Sequence, residues 1–268
     1  MRGSIFLIFG VFLLAATPAW SASCGNGPAG FEAWKQAFIA GSAQHGLKQR
    51  VVQRALKDVR YNPKVVRLDR NQKSFKLSFE QFYAKRVNNA MIRRGQKLGK
   101  TYGRIFKGIE RKYGVPAPVI LSIWGLETNY GSFSGNMPVL QSLATLAYDC
   151  RRARFFTNEL VNALIIVQRR DMTPAEMKGA WAGEIGQTQF LASSYVKYAV
   201  DYDRNGRRDL IRSIPDVLAS TANYLAKHGW RRGQGWAPGT ANYKVLQKWN
   251  KAGVYVKAIS VMAAKIGG

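Results

Sequence analysis

The sequence predicts a mainly α protein, and three observations carry that prediction. Apolar residues recur at helical spacing in one segment after another. Gly, Pro and Asx residues fall between those segments as starts and stops. Strand signals are scarce along the whole chain. At 268 residues the chain suffices for one good-sized core or two small lobes.

Residues 1–22 read as a secretory signal peptide. Arg2 supplies the positive start, Ile5 to Ala16 an apolar run too short to span a bilayer comfortably, and Pro18 a break before small residues. Export places the mature chain, residues 23–268, in the periplasm. Cys24 admits a lipid anchor as an alternative, but Ser21 stands where a lipid-attachment motif wants Leu. No other long apolar run occurs, so at most a peripheral membrane contact is expected. Cys24 and Cys150 are the only cysteines. In an exported protein they suggest one disulfide, with two free thiols as the alternative.

The formal net charge is +26, which calls for an anionic partner. Export argues against nucleic acid, as does the scatter of the basic residues over Lys85–Arg94, Arg151–Arg154, Arg204–Arg212 and Lys227–Arg232. Cell wall or a membrane surface is the partner an exported protein meets first.

Residues 31–58 read as two helices, with Phe31, Trp34, Phe38 and Ile39 on one stripe and Val51, Val52, Ala55 and Leu56 on the next. Asn62-Pro63 reads as a break. Helical spacing resumes over 77–113 and ends at Gly114. In the segment 116–131, PAPVILSIWGLETNYG, Pro116 and Pro118 suit a first turn and Gly131 a stop. Ile120, Ile123, Trp124 and Glu127 share one helical face. A carboxylate on an apolar face is costly unless its pKa rises, which leaves an acid that donates near neutral pH. The plainer alternative is a helix-end Glu that reaches solvent or an Arg.

Residues 132–138 are a loop, and Val139–Tyr148 and Phe155–Gln168 read as helices. Thr173-Pro174-Ala175-Glu176 reads as another helix start. In 181–195, Gly183 and Gly186 allow close backbone approach, and Gln187, Thr188 and Gln189 stand among Trp181, Phe190 and Tyr195. Amides beside aromatics suit sugars, although core aromatics at a turn fit equally. Residues 201–212 follow the pattern of a calcium loop at Asp201, Asp203, Asn205, Gly206 and Asp209. Arg212 stands where Glu is wanted, with Asp216 as the replacement ligand. The alternative is an Asx-rich turn that binds nothing. Ile214-Pro215 starts a helix carrying Tyr224, residues 231–241 are a Gly-rich loop, and Tyr243–Ile266 forms one or two helices.

GLETNYG (125–131), SLATLAYDCRR (142–152), GAWAGEIGQTQFLASSY (179–195), YAVDYDRNGRRDL (198–210) and STANYLAKHGW (220–230) carry a resemblance. The chain resembles the lytic murein transglycosylases of the membrane-bound lytic transglycosylase B type, which are lysozyme-like. The resemblance implies a helical N-terminal part over 23–113 and a lysozyme-like α+β core with little β structure over 114–268. It implies a monomer acting on peptidoglycan glycan strands, with no nucleic-acid partner and no required cofactor; Ca²⁺ would be structural. Glu127 matches the single catalytic acid. Gln189, Phe190 and Tyr224 match sugar-site residues, and Trp249 and Tyr255 fall where two cleft aromatics stand. Ala180 replaces a Ser found in some relatives. Ordinary glycosidases use two carboxylates; here Glu184 is the one nearby alternative acid. In the implied reaction Glu127 protonates the bond between N-acetylmuramic acid and N-acetylglucosamine. It then takes a proton from the muramyl C6 hydroxyl, giving a 1,6-anhydro end. A hydrolase with the same cleft, or a catalytically weak wall-binding protein, is the alternative.

Overall fold

The structure, a computed structural model, describes residues 23–71 and 77–268. The predicted signal peptide lies outside the described residues. Helices α1 (Phe31–Ala40) and α2 (Gln49–Leu56) flank a 3₁₀ turn at Gly41–His45. Asn62-Pro63, expected to be a break, instead opens α3 (Pro63–Arg70). The Asn62 side chain accepts from the Lys64 N–H, and Pro63 takes the first helical position, where it loses no hydrogen bond. Helices α4 (Phe79–Arg86), α5 (Asn89–Thr101) and α6 (Gly103–Tyr113) complete the N-terminal part. Ser78 and Gln81 close a capping box at the start of α4.

Helix α7 (Ala117–Thr128) is the axis of the molecule. Val119 to Leu126 are all buried, so the helix is enclosed on every side and does not present one apolar face as its spacing suggested. It also stops earlier than Gly131. Asn129 caps it in the left-handed region (φ 49°), and Tyr130 (φ 57°) and Gly131 (φ 77°) continue there. Such a run is unfavourable for non-glycine residues and needs outside support. The Tyr130 ring packs edge-on against Trp124 at 5.5 Å, and its hydroxyl donates to the Met91 carbonyl at 2.9 Å. Thr128 Oγ1 accepts from the Gly131 N–H at 2.9 Å. The backbone reversal therefore lies directly after Glu127.

Strand β1 (Met137–Pro138) leads into α8 (Val139–Tyr148), which packs on α9 (Ala153–Gln168). Thr173 and Glu176 make their reciprocal bonds, yet one turn later the chain becomes β2 (Lys178–Gly179), paired antiparallel with β1. The expected helix does not propagate: Glu176 is drawn to Arg207 and Arg212, and Lys178-Gly179 to the β1 backbone. Helices α10 (Ala192–Tyr198) and α11 (Ile214–Lys227) follow, then α12 (Ala241–Trp249) and α13 (Gly253–Gly267). The last segment is thus two helices, and α13 lies along α7. A hydrophobic cluster runs from Phe31 through α7 to Ile266, so the N-terminal helices and the C-terminal half share one core. Cys24 and Cys150 are disulfide-bonded with Cα atoms 5.0 Å apart, which fastens the described N-terminus to the α8–α9 junction. Among the described residues, no helix is long and apolar enough to cross a membrane.

Candidate active site

Glu127 lies in the last turn of α7, with its carboxyl at a cavity of about 460 Å³. Burial pushes that carboxyl from the ordinary 4.5 up to about 6. Three neighbours pull the other way. Trp249 Nε1 donates to Glu127 Oε1 at 3.0 Å, Tyr255 lies behind the carboxyl, and the Arg86 guanidinium is near. Arg86 is itself fixed, donating to the Leu126 carbonyl at 2.7 Å. Desolvation wins, so Glu127 holds its proton to near-neutral pH.

The facing wall is the turn after β2. Gly179 and Phe190 both bridge to Ile185, which folds 179–190 into a tight ribbon. Gly186 (φ 78°) brings its backbone so close to the Leu210 carbonyl that a Cβ would sit 2.4 Å from the oxygen. Gln187 braces the ribbon against α7. Its Oε1 accepts from Trp124 Nε1 at 2.9 Å, its Nε2 donates to the Ile211 carbonyl at 2.8 Å, and its own carbonyl accepts from Thr128 Oγ1 at 2.5 Å. Gln189, left-handed at φ 52°, lines the cavity. Its Nε2 donates to the carbonyls of Ser134 (3.1 Å) and Gly186 (2.8 Å), so only its Oε1 is left for a ligand.

Aromatic rings form the third wall. Phe190, Tyr224 and Trp249 meet edge to face at 4.9 to 5.9 Å. The Tyr224 hydroxyl donates to the Lys248 carbonyl at 2.7 Å, and burial pushes its pKa up to about 12. Thr240 caps α12, whose last residue is Trp249, so this wall is set by a regular helix. Tyr255 does not join it. Its ring is buried on α13 against Phe82, outside the cavity lining. Its hydroxyl lies close enough to feel the Glu127 charge but makes no hydrogen bond of ordinary geometry.

The structure thus brings Glu127, Gln189, Phe190, Tyr224 and Trp249 to one cavity, with Ala180 in its wall. Glu184, named as the alternative acid, lines it too, and the structure adds Leu191, Ser194, Lys248, Asn250 and Lys251. Three of these flank Trp249 in sequence, and that adjacency was their only signal. Glu184 is a second carboxyl at the same cavity. Its Oε2 is buried without a partner, and burial raises its pKa.

The Asp-rich loop stands at the start of α11. Carboxylate oxygens of Asp201, Asp203 and Asp216 lie within 4.8 Å of one another. Asp216 is fully buried. Its oxygens accept from the N–H groups of Tyr202 (2.7 Å) and Asp209 (2.8 Å), while desolvation raises its pKa. Asp209, expected as a ligand, instead accepts from the N–H groups of Ile211 and Arg212, both at 2.9 Å. Asn205 Oδ1 accepts from the Arg207 N–H at 2.9 Å. The arginines are turned aside: Arg208 pairs with Asp171, and Arg207 and Arg212 with Glu176. Three clustered carboxylates, one buried and raised, suit a hard divalent cation.

Residues 30–240 match the family described as the transglycosylase SLT domain. The chain belongs to that family. Part of it is 39% identical over 138 residues to membrane-bound lytic murein transglycosylase B of Escherichia coli, covering 48% of this chain and 38% of that protein. The match therefore spans well under half the length of this curated relative. SltB3 from Pseudomonas aeruginosa, solved in complex with NAG-NAM-pentapeptide, is similar at TM-score 0.84 and 31% identity, over 89% of this chain and 80% of that one. The same protein has been solved with NAG-anhNAM-pentapeptide. Escherichia coli Slt35 in complex with calcium shares the fold at TM-score 0.77 and 24% identity, over 91% of this chain and 95% of that one. The SLT fold accounts for the mainly helical, lysozyme-like architecture with its minimal sheet.

Proposed function

We propose that this chain is a peptidoglycan lytic transglycosylase in which Glu127 acts first as acid and then as base. The observation that carries this is one carboxyl, raised to about 6 by burial, set at a cavity walled by aromatic rings and the amides of Gln189 and Asn250. A muramyl–glucosaminyl bond lying over Glu127 receives its proton on the glycosidic oxygen, and the C1–O bond breaks. The resulting carboxylate, held by Trp249, takes the proton of the muramyl C6 hydroxyl. That oxygen closes on C1, so no water is consumed and Glu127 ends protonated. Family membership supports the reading, as does an anhydro-muramyl ligand in a relative at 31% identity. Action on the cell wall places the protein in the periplasm, in keeping with the leader-like residues 1–22 and the charge of +26. No step needs a cofactor. Ca²⁺ at Asp201, Asp203 and Asp216 would stiffen the chain beside the ribbon without entering the chemistry.

Hydrolysis is the second reading, favoured by Glu184, because two carboxyls at one cavity also suit water attack. Mass analysis of products released from purified sacculi separates them. Muramyl ends one water lighter than lysozyme products are expected, and exclusively reducing ends would overturn the transglycosylase reading.

A further inference from the structure

Glu184 is a titratable group that the proposed reaction leaves idle. It lines the catalytic cavity together with Glu127, Ala180, Phe190, Leu191 and Ser194. Its Oε2 is buried and has no hydrogen-bond partner. Among the described residues no cation forms an ion pair with it. A buried polar atom left unpaired is costly, so one at the wall of a binding cavity calls for a partner from the cavity.

The backbone holds Glu184 in place. The Ala180 N–H donates to the Glu184 carbonyl and the Gly183 N–H to the Ala180 carbonyl, both at 3.1 Å, which closes 180–184 into a turn. Gly179 approaches so closely that a Cβ there would sit 1.8 Å from the Glu184 carbonyl oxygen. Ile185, next in sequence, is fully buried and exchanges both backbone bonds with Phe190, at 2.7 and 2.9 Å.

The surroundings favour the neutral acid. Burial raises the Glu184 pKa and outweighs the N–H groups of Glu184 and Ala182, which favour the carboxylate. Arg152 also bears on it but is committed elsewhere: it pairs with Asp69, and its guanidinium lies over the Phe156 ring at 4.8 Å. Glu159 adds a negative neighbour, its oxygens accepting from the Ser193 N–H at 2.9 Å and from Asn158 Nδ2 at 3.3 Å. A neutral carboxyl, unlike a carboxylate, offers one O–H donor.

We propose that Glu184 is a substrate-binding residue whose carboxyl O–H donates to the acetamido carbonyl of a wall sugar held in the cleft. The substrate class rests on the transglycosylase reading. Sugar hydroxyls both donate and accept, so they select neither form of a carboxyl. An amide carbonyl only accepts, and it matches a side chain that offers a donor where a carboxylate is disfavoured. Glu127 keeps the proton transfers, and Glu184 keeps its proton throughout.

The test measures kinetics on glycan strands from sacculi, before and after an N-deacetylase, for the wild type, Glu184→Gln and Glu184→Ala. Gln keeps a donor at the same reach, and Ala keeps none. On acetylated strands Glu184→Ala should raise KM by roughly three- to tenfold, the worth of one neutral hydrogen bond, with the smaller part of the loss in kcat. Glu184→Gln should stay within about threefold of the wild type. On deacetylated strands the wild type should lose its advantage over Glu184→Ala, and chemical re-acetylation should restore it. Urea midpoints of both variants should equal or exceed that of the wild type, because an unpaired buried carboxyl is removed. An advantage that survives deacetylation would overturn the proposal, as would equal losses in the Gln and Ala variants. So would a fall in kcat for Glu184→Gln as large as that for Glu127→Gln, which would make Glu184 a second reacting carboxyl. Product masses read the transglycosylase reading separately: reducing ends alone would remove that reading, whereas the KM pattern would still assign the acetamido contact.

Discussion

Trp249 Nε1 donates to Glu127 Oε1 at 3.0 Å, joining residues 122 positions apart in the chain. The bond favours the charged carboxylate and so opposes the rise that burial imposes. Trp249→Phe keeps the ring against Phe190 and Tyr224 but removes the donor. The Glu127 pKa should then climb further above about 6, moving the alkaline limb of the kcat/KM profile to higher pH. The step in which Glu127 gives up its proton should slow, because the carboxylate it forms has lost that bond, lowering kcat by roughly ten- to a hundredfold, the worth of a charged hydrogen bond. A limb that stays in place would show that the bond does not tune the acid.

Glu184→Gln separates the two carboxyls at the cavity. Glu184 Oε2 is buried without a partner, and burial disfavours its charge. A neutral amide of the same size should leave stability unchanged or higher at neutral pH. Activity should fall by less than about tenfold if Glu127 alone supplies the proton transfers, against roughly 10²–10⁴-fold for loss of an acid–base group. An effect as large as that of Glu127→Gln would make the pair a two-carboxylate hydrolase site.

Most helices were legible because their apolar spacing and caps are local. Val139–Tyr148 is helical over the span its pattern marks, and Ile214-Pro215 starts α11 as read. Errors came where a local signal had two meanings. Asn-Pro is equally a turn and a helix start, and Asn62 accepting the Lys64 N–H decides for the helix. Thr173 to Glu176 makes its capping bonds, but distant arginines and strand β1 take the residues that would continue a helix. In the site, residues borne on motifs reached the cavity, whereas Tyr255 ended behind it. One residue of helix separates cleft wall from packing face, and only the docking of α13 on α7 sets which side is which. Lys248 and Lys251 carried no signal of their own, because a Lys beside a Trp usually marks a solvated helix end.

Calcium should stabilise the protein. Burial raises the Asp216 pKa above its ordinary value, so its contribution to stability is lost as pH rises through that folded-state value. A cation offsets that loss by neutralising the clustered charge. Millimolar Ca²⁺ should therefore raise the Tm, by mass action, more at pH 7 than near pH 4; a hundredfold excess over Kd is worth about 2.7 kcal/mol. Asp201→Asn/Asp203→Asn should abolish the shift. Identical melts in Ca²⁺ and in EDTA would leave the loop as an Asx-rich turn.

Reducing the Cys24–Cys150 bridge should lower the Tm without stopping catalysis, because the bond lies at the α8–α9 junction and not in the cleft. The loop-entropy relation gives roughly 4–5 kcal/mol for a loop of this length, an upper-end figure. Melts with and without reductant, alongside Cys150→Ser, measure it. An unchanged Tm would mean that packing of Gly25 and Gly30 against Tyr148 holds the N-terminus unaided.

Glu127→Gln should abolish activity and change the pH dependence of stability in a defined direction. In the unfolded chain the carboxyl titrates near 4.5, and in the fold near 6. Between those values the unfolded chain has released a proton that the folded one still holds, so stability falls as pH rises. Above about pH 6 the wild type has lost on the order of 2 kcal/mol that it possessed near pH 4. Gln does not titrate, and its Oε1 still accepts from Trp249 Nε1. The variant should therefore gain on the wild type by about that amount between pH 4 and pH 7, as read from urea midpoints at the two pH values. Turnover should drop by roughly 10²–10⁴-fold or more, because one group serves as both acid and base. Binding to sacculi should persist, since the basic surface is untouched. A stability difference that is flat with pH would show that Glu127 is not held protonated by the fold, and the acid would have to be sought at Glu184.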